Sequence, residues 1–180
     1  MRSFDEIETV GVVGAGTMGN GIAQVAATAG YDVLMRDIEE EYVENGLSAI
    51  DDSLSRLVAN DTITETEKAD AQARLTGTTD LGRLAEADIV VEAAVEKMDI
   101  KRDIFADLDD VVDEDVVLAT NTSTLSITTI AAATARPEQV VGLHFMNPVP
   151  VMKGVEVVTG EKTAAAVTEL AHEFAEALGK

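Results

Sequence analysis

Short β-branched runs alternate with longer stretches of helical period along this chain, the arrangement of a parallel sheet with helices packed on its faces. Thr9–Val13 is the first apolar run and predicts a strand. Thr17–Ala29 follows as a helix ended by Gly30, and Tyr31–Arg36 predicts the second strand. A long helical stretch then stands where a short crossover is expected. Val43, Leu47, Ile50, Leu54 and Leu57 recur at spacings of three and four, which predicts one apolar stripe along about five turns. Asn60-Asp61 interrupts it, and Thr64-Glu65-Thr66-Glu67 has the form of a capping box opening a second helix. The two make an antiparallel helical hairpin between strands. Further strands are predicted over Leu75–Thr79, Asp88–Ala93 and Val116–Asn121, with a helix striped by Ile100, Ile104, Leu108 and Val111 before the last of them. A short helix over Ile127–Ala133 and strands over Gln139–Phe145 and Gly154–Thr159 come next. The closing helix, Thr163–Leu178, carries Val167, Leu170, Phe174 and Leu178 on its apolar side. With no internal repeat and no linker-like stretch, one α/β domain over residues 1–180 is expected.

Composition narrows what such a domain can do. At 46% hydrophobic and 26% charged residues, the chain has the makeup of a folded protein and not of a disordered one. Its 34 acidic residues against 13 basic ones give a net charge of −21, a surface that repels nucleic acid and anionic membranes and excludes both as partners. The absence of cysteine removes disulfides, thiolate metal sites and a cysteine nucleophile, and no metal site is predicted. No apolar run approaches the roughly 18–20 residues that span a bilayer. Asp5, Glu6 and Glu8 stand where a signal peptide would be basic and then apolar, so the cytoplasm is the expected compartment. The runs Glu39-Glu40-Glu41 and Asp113-Glu114-Asp115, with only six lysines, point to adaptation to molar salt, where the Debye length shrinks to about 3 Å. A solvated surface that simply keeps the protein soluble is the plainer alternative.

The first chemical motif is Gly14-Ala15-Gly16-Thr17-Met18-Gly19, directly after the first predicted strand and opening a helix. Gly14 permits a tight turn, Gly16 lets backbone N–H groups approach a pyrophosphate, and Gly19 lets the helix pack closely on the sheet. The helix N-terminus adds partial positive charge. Asp37, 21 residues after Gly16, ends the second strand, where a carboxylate accepts hydrogen bonds from both ribose hydroxyls of an adenosine. A dinucleotide is therefore expected, and Asp37 favours NAD over NADP because a 2′-phosphate would meet its charge. Strand alternation is expected to turn Arg36 to the other face. A glycine-rich turn with no ligand is the alternative reading of the motif.

Downstream, four segments converge on the carboxyl edge of the predicted sheet, where open α/β folds place their ligands. They are Val91–Lys97, Asn121–Thr124, His144–Pro148 and Glu156 on the returning strand. With the glycine motif they resemble the 3-hydroxyacyl-CoA dehydrogenase family, which includes the 3-hydroxybutyryl-CoA dehydrogenases. The likeness runs from about Glu8 to Lys180 through VGVVGAGTMGNGIAQVAATAGYDV, VVEAAVEKMDIKRDIFADLD, NTSTLSIT and GLHFMNPVPVMKGVEVV, in that order. It implies a Rossmann-type, doubly wound, mainly parallel sheet with a helical-hairpin insert, NAD as cofactor and an acyl-CoA substrate. The implied reaction is oxidation of (S)-3-hydroxyacyl-CoA to 3-ketoacyl-CoA and its reverse. His144 and Glu156 take the place of the family's catalytic pair, Ser123 that of the substrate-oxygen partner, and Glu96, Lys101 and Asn121 fall near the cofactor.

The residue chemistry fits that implication. Oxidising a secondary alcohol requires a base for the hydroxyl proton while hydride leaves the carbon, and an imidazole serves both directions near neutrality. Glu156 can face the imidazole of His144 and fix its tautomer. Ser123 can contact the substrate oxygen and Asn121 can orient substrate or nicotinamide, although both can equally cap the helix beginning near Ser126. Glu96 can equally be a solvated loop carboxylate. Lys101 is expected as one of few cations for a dianionic cofactor. Met18 and Met146 are expected as packing beside the pocket, and His172, near no motif, on the surface.

On the hairpin, Ser53 falls where a family serine contacts CoA. The basic residue usual about two turns further on is missing from Val58-Ala59-Asn60-Asp61, which removes that contact or shifts it to Arg56. The family continues past a Gly-Lys like Gly179-Lys180 into another strand and a helical domain that supplies a catalytic asparagine, one wall of the acyl pocket and the main homodimer interface. The resemblance therefore implies that residues 1–180 hold the larger part of a two-domain enzyme. A stand-alone dinucleotide-binding module and a dehydrogenase of small free hydroxy acids are the competing readings, the latter disfavoured by the hairpin insert.

Overall fold

Alternation along the first strand sends Val10 and Val12 to one side of a sheet and Val13 to the other, where they join two separate apolar clusters. The computed structural model describes residues 2–180 and contains seven strands and six α-helices. In chain order these are β1 (Thr9–Val13), α1 (Thr17–Thr28), β2 (Asp32–Arg36), α2 (Glu40–Ala59), α3 (Glu65–Ala73), β3 (Leu75–Thr78) and β4 (Ile89–Glu92). They continue with α4 (Met98–Val111), β5 (Val117–Thr120), α5 (Ile127–Ala131), β6 (Val140–Phe145), β7 (Val155–Thr159) and α6 (Ala165–Ala177). The sheet order is β3-β2-β1-β4-β5-β6-β7, with β7 antiparallel to β6 and the other pairs parallel. This is the doubly wound, mainly parallel architecture expected from the sequence.

One face of the sheet is covered by α1, α2 and α6, whose Ile22, Ile50, Leu54 and Phe174 join its core. On the other face lie α4 and α5, with Phe105, Leu108 and Ile130. The chain winds outward from β1 to β3, then returns to place β4 against the other side of β1. That reversal opens a crevice at the carboxyl ends of β1 and β4, the position where such sheets bind ligands.

The hairpin forms as its pattern predicts. Val43, Ile50 and Leu54 are buried along α2, and Leu47 and Leu57 pack against the core from its margin. Thr64 opens α3 with the reciprocal capping box: its amide donates to Glu67 Oε2 at 2.7 Å and its hydroxyl accepts from the Glu67 amide at 3.2 Å. Asp51 ties the hairpin together, accepting from Lys68 Nζ and Gln72 Nε2, each at 2.7 Å.

Helix α4 departs from expectation. Its buried stripe is Lys101, Phe105 and Leu108, whereas Ile100 is 39% exposed and Ile104 half-buried. Of the expected stripe, Leu108 is in the core with Ile104 and Val111 packed against it, and Ile100 lines the crevice. The closing helix starts two residues late, since Thr163 spends its hydroxyl on the Val140 carbonyl at 2.7 Å. Three short 3₁₀ segments, Phe4–Glu6, Leu81–Glu86 and Pro137–Gln139, escaped the pattern because one or two turns carry no readable period.

Candidate active site

The turn after β1 is shaped by missing atoms. Gly14 has φ +101°, and a Cβ there would lie 2.7 Å from the Ala93 carbonyl oxygen. A Cβ on Gly19 would lie 1.7 Å from the Gly14 carbonyl oxygen, so α1 can approach the turn only without one. Gly16 differs: its φ of −67° suits any residue, and no atom lies within 4 Å of a Cβ built on it. No steric contact requires glycine at that position, which caps the start of α1. The space is kept free at the N-terminus of a twelve-residue helix, the geometry of a backbone cradle for a phosphate.

Asp37 faces this cradle. Its Oδ2 accepts from the Ala15 amide at 2.6 Å and its Oδ1 from the Ile38 amide at 2.7 Å, which pins the carboxylate at the crevice. The cleft there has a volume of about 430 Å³. Among the described residues, four of the seven large exposed apolar side chains, Ile38, Tyr42, Val95 and Ile100, line it. Apolar walls around a fixed carboxylate suit an adenosine. None of the four was singled out for binding by sequence, where an apolar residue beside a strand or on a helix reads as core. Arg36 is also corrected: it lines the same cleft as Asp37, with Nε 3.3 Å from the Thr79 carbonyl. The strand ends at Arg36, so alternation no longer governs the pair.

The second group of side chains lies further along the same edge. His144 is directly opposite Glu156 in the β6–β7 register. The imidazole Nδ1 is 2.8 Å from Glu156 Oε2, and Nε2 is 3.0 Å from Ser123 Oγ. Because a carboxylate only accepts, Glu156 places the ring proton on Nδ1 and leaves Nε2 to take a proton. The His144 side chain is 20% exposed and that of Glu156 64%, so the line opens to solvent at one end.

Asn121 and Ser123 do not cap α5. Ser126 does so with its own hydroxyl, while Asn121 Oδ1 accepts from the Phe145 amide at 2.9 Å and ties the end of β5 to β6. Glu96 is not a free loop carboxylate. Its Oε1 accepts from the Thr122 hydroxyl at 2.6 Å and from the amides of Ser123 and Thr124 at 3.0 and 3.3 Å. Partial burial opposes its charge, but the Thr122 hydroxyl, the Ser123 amide, the Lys101 ammonium and the Thr124 amide outweigh it and hold the carboxyl below its ordinary range. Lys101 requires a correction. Its side chain is completely buried, with Nζ 2.7 and 2.9 Å from the two oxygens of buried Glu92, so it does not stand free as a cation for cofactor phosphates. Within the Val91–Lys97 segment no local pattern marks Glu92 as the partner of Lys101, because both are buried by elements distant in sequence.

The other residues fall around these groups. Thr17 and Ser53 line a second cleft of about 560 Å³ with Arg56, Asn60 and the Pro148–Val151 turn. Met18 packs against the core of the sheet. His172 is exposed and borders a depression along α6 with Glu169, Glu173 and Glu176, a place none of the other groups reaches. Among the described residues, no helix is long and apolar enough to cross a membrane.

Comparison with known proteins places the fold in a family. The family described as 3-hydroxyacyl-CoA dehydrogenase, NAD binding domain, matches residues 9–180. The chain is 46% identical over 174 residues to a 3-hydroxybutyryl-CoA dehydrogenase of Bradyrhizobium diazoefficiens, covering 97% of this chain and 59% of that one. It is 45% identical over 174 residues to a 3-hydroxyadipyl-CoA dehydrogenase of Escherichia coli, covering 97% and 37%. The crystal structure of an (S)-3-hydroxybutyryl-CoA dehydrogenase from Ralstonia eutropha superposes with a TM-score of 0.96 at 45% identity, again over 97% of this chain and 62% of that one. The chain thus spans about three fifths of the length of the Bradyrhizobium and Ralstonia enzymes.

Proposed function

The chain belongs to the 3-hydroxyacyl-CoA dehydrogenase family through its NAD-binding domain, and from this we propose that it interconverts an (S)-3-hydroxyacyl-CoA and its 3-ketoacyl-CoA. The observation that carries the proposal is the Ser123–His144–Glu156 line on the sheet edge that also holds the backbone cradle at Gly16. NAD, when bound, supplies the hydride acceptor. The Gly14–Gly19 turn would hold its pyrophosphate and Asp37 its adenosine ribose, between the walls formed by Ile38, Tyr42 and Ile100. The substrate hydroxyl gives its proton to His144 Nε2 as hydride leaves the same carbon, and Ser123 Oγ, already 3.0 Å from that nitrogen, steadies the substrate oxygen. Glu156 at Nδ1 fixes the tautomer and offsets the positive charge that forms on the ring. Glu96 and Asn121 hold the loops on either side.

The same three side chains have the order of a hydrolase triad, yet an oxyanion hole is missing where one would be needed. The amides of Ser123 and Thr124, next to the serine, are taken by Glu96. That favours proton transfer at Nε2 over nucleophilic attack by Ser123. For the acyl-CoA, the cleft with Ser53 and Arg56 begins three residues after His144 and offers the substrate tail a wall on α2.

Titration with NADH together with acetoacetyl-CoA-dependent NADH oxidation tests the reading, with saturable binding and turnover expected. Binding without turnover here but turnover in a chain that also carries the helical domain would mean that catalysis needs both parts, and binding without turnover in either would assign a dinucleotide module. Turnover of free hydroxy acids in preference to their CoA thioesters would overturn the substrate class. The net charge of −21 supports work in a salt-rich cytoplasm. There the melting temperature should rise as KCl goes from ordinary to molar concentration, and a flat response would reject that compartment.

A further inference from the structure

The carboxyl ends of β4 and β5 enclose a charged pair that the proton transfer does not use. Glu92 and Lys101 are both fully buried. Besides the two contacts from Lys101, Glu92 accepts from the Ala94 amide at 2.7 Å and the Thr120 hydroxyl at 2.6 Å. Lys101 Nζ lies 3.5 Å from the Ala94 carbonyl oxygen and 3.7 Å from Glu96 Oε2. Removing two charges from water is costly, and apolar residues of similar volume often fill such a space at least as stably. Stability alone gives no reason for the pair. Its neighbours do. Ala94 lines the cleft beside Asp37, Thr120 directly precedes Asn121-Thr122-Ser123, and Glu96 gathers the Thr122 hydroxyl and the amides of Ser123 and Thr124.

We propose that Glu92 and Lys101 are positioning residues: as a pair they fix the end of β5 and Glu96, and through these the turn that sets Ser123 Oγ against His144 Nε2. Neither side chain touches the reacting atoms. Apolar residues filling the same volume would leave Glu96 without its ammonium partner and Thr120 without its acceptor. The turn would then be held by fewer bonds, and the serine hydroxyl would spend less time on the imidazole. The kinetic part of this inference rests on the dehydrogenase reading; the geometric part does not.

The double variant Glu92→Gln/Lys101→Met tests it, because removing both charges leaves neither buried alone. Thr120→Val is the milder second variant, losing one hydroxyl. Nitrogen and proton resonances of the Ser123 and Thr124 amides and of the His144 ring are measured on the free chain, alongside kcat and KM for NADH-dependent reduction of acetoacetyl-CoA. In the double variant the amide and ring resonances should shift and kcat should fall about 10- to 100-fold, with KM for NADH within about twofold. Thr120→Val should move the same signals less. A folded double variant with unchanged resonances and kcat overturns the proposal, and so does an unresponsive Thr120→Val if the double variant does not fold. If neither this chain nor one that also carries the helical domain turns over acetoacetyl-CoA, the dehydrogenase reading fails while the resonances still decide the positioning role.

Discussion

At the cofactor end of the sheet edge, the turn after β1 works by leaving atoms out, with 1.7 Å between a would-be Cβ on Gly19 and the Gly14 carbonyl oxygen. At the other end, the proposed chemistry depends on atoms being present: Ser123, His144 and Glu156 come from three different segments and meet at 3.0 and 2.8 Å. One region is local in sequence and fails by addition. The other is dispersed and fails by deletion. The contrast separates two meanings of a binding residue, since the turn recruits backbone amides that any sequence owns while the line recruits side chains that this one had to place.

The sharpest way to break the comparison is at the dispersed end. His144→Ala should lower turnover of acetoacetyl-CoA about 10²- to 10⁴-fold while leaving NADH affinity within about twofold in a binding titration. Retained turnover would remove the imidazole from the chemistry. Next in size is a contrast between two glycines of the same turn. Gly19→Ala should cost about 1–3 kcal/mol in urea unfolding, as overpacking does. Gly16→Ala should cost less, about 0.5–1 kcal/mol, as exchange of an N-cap glycine for alanine does. It should nonetheless weaken NADH binding about tenfold, the order of one hydrogen bond to a charged group. If Gly16→Ala binds as tightly as the parent, the free space at that position has no ligand to explain it.

The smallest effect concerns Glu96, whose hydrogen bonds and Lys101 neighbour hold its carboxyl below the ordinary range. A carboxyl lowered on folding contributes stability that is present above the unfolded glutamate value of about 4.3 and is lost as pH falls through the folded one. The gap in melting temperature between the parent and Glu96→Gln should therefore be constant near neutrality and close in acid. With the side chain 41% exposed, screening keeps that gap small. A gap that widens in acid would reverse the assignment.

The local features were legible because their causes are local. Gly14–Gly19 and the Thr64–Glu67 capping box each close within six residues, and the hairpin stripe from Val43 to Leu54 needs only a period. His144 and Glu156 were legible through their motif and the returning strand. What escaped was set by neighbours distant in sequence. An isoleucine on α4 can face core or crevice with the same period, and Ile100 faces the crevice. A lysine in an acidic chain suggests a free cation until Glu92 on β4 is found beneath it. Asn121 looked equally suited to capping a helix or serving the site, and the Phe145 amide on β6 claims its oxygen.

The direct pairing of His144 with Glu156 turns the connection over residues 146–154 into a ruler. Side chains on a strand alternate between faces, so a slip of one residue in β7 would carry the carboxylate to the opposite side of the sheet. Within this connection, identity and length then obey different rules. Individual residues can be exchanged as far as the cleft tolerates them, whereas a single insertion or deletion that shifts the register would part the carboxylate from the imidazole without touching Ser123, His144 or Glu156.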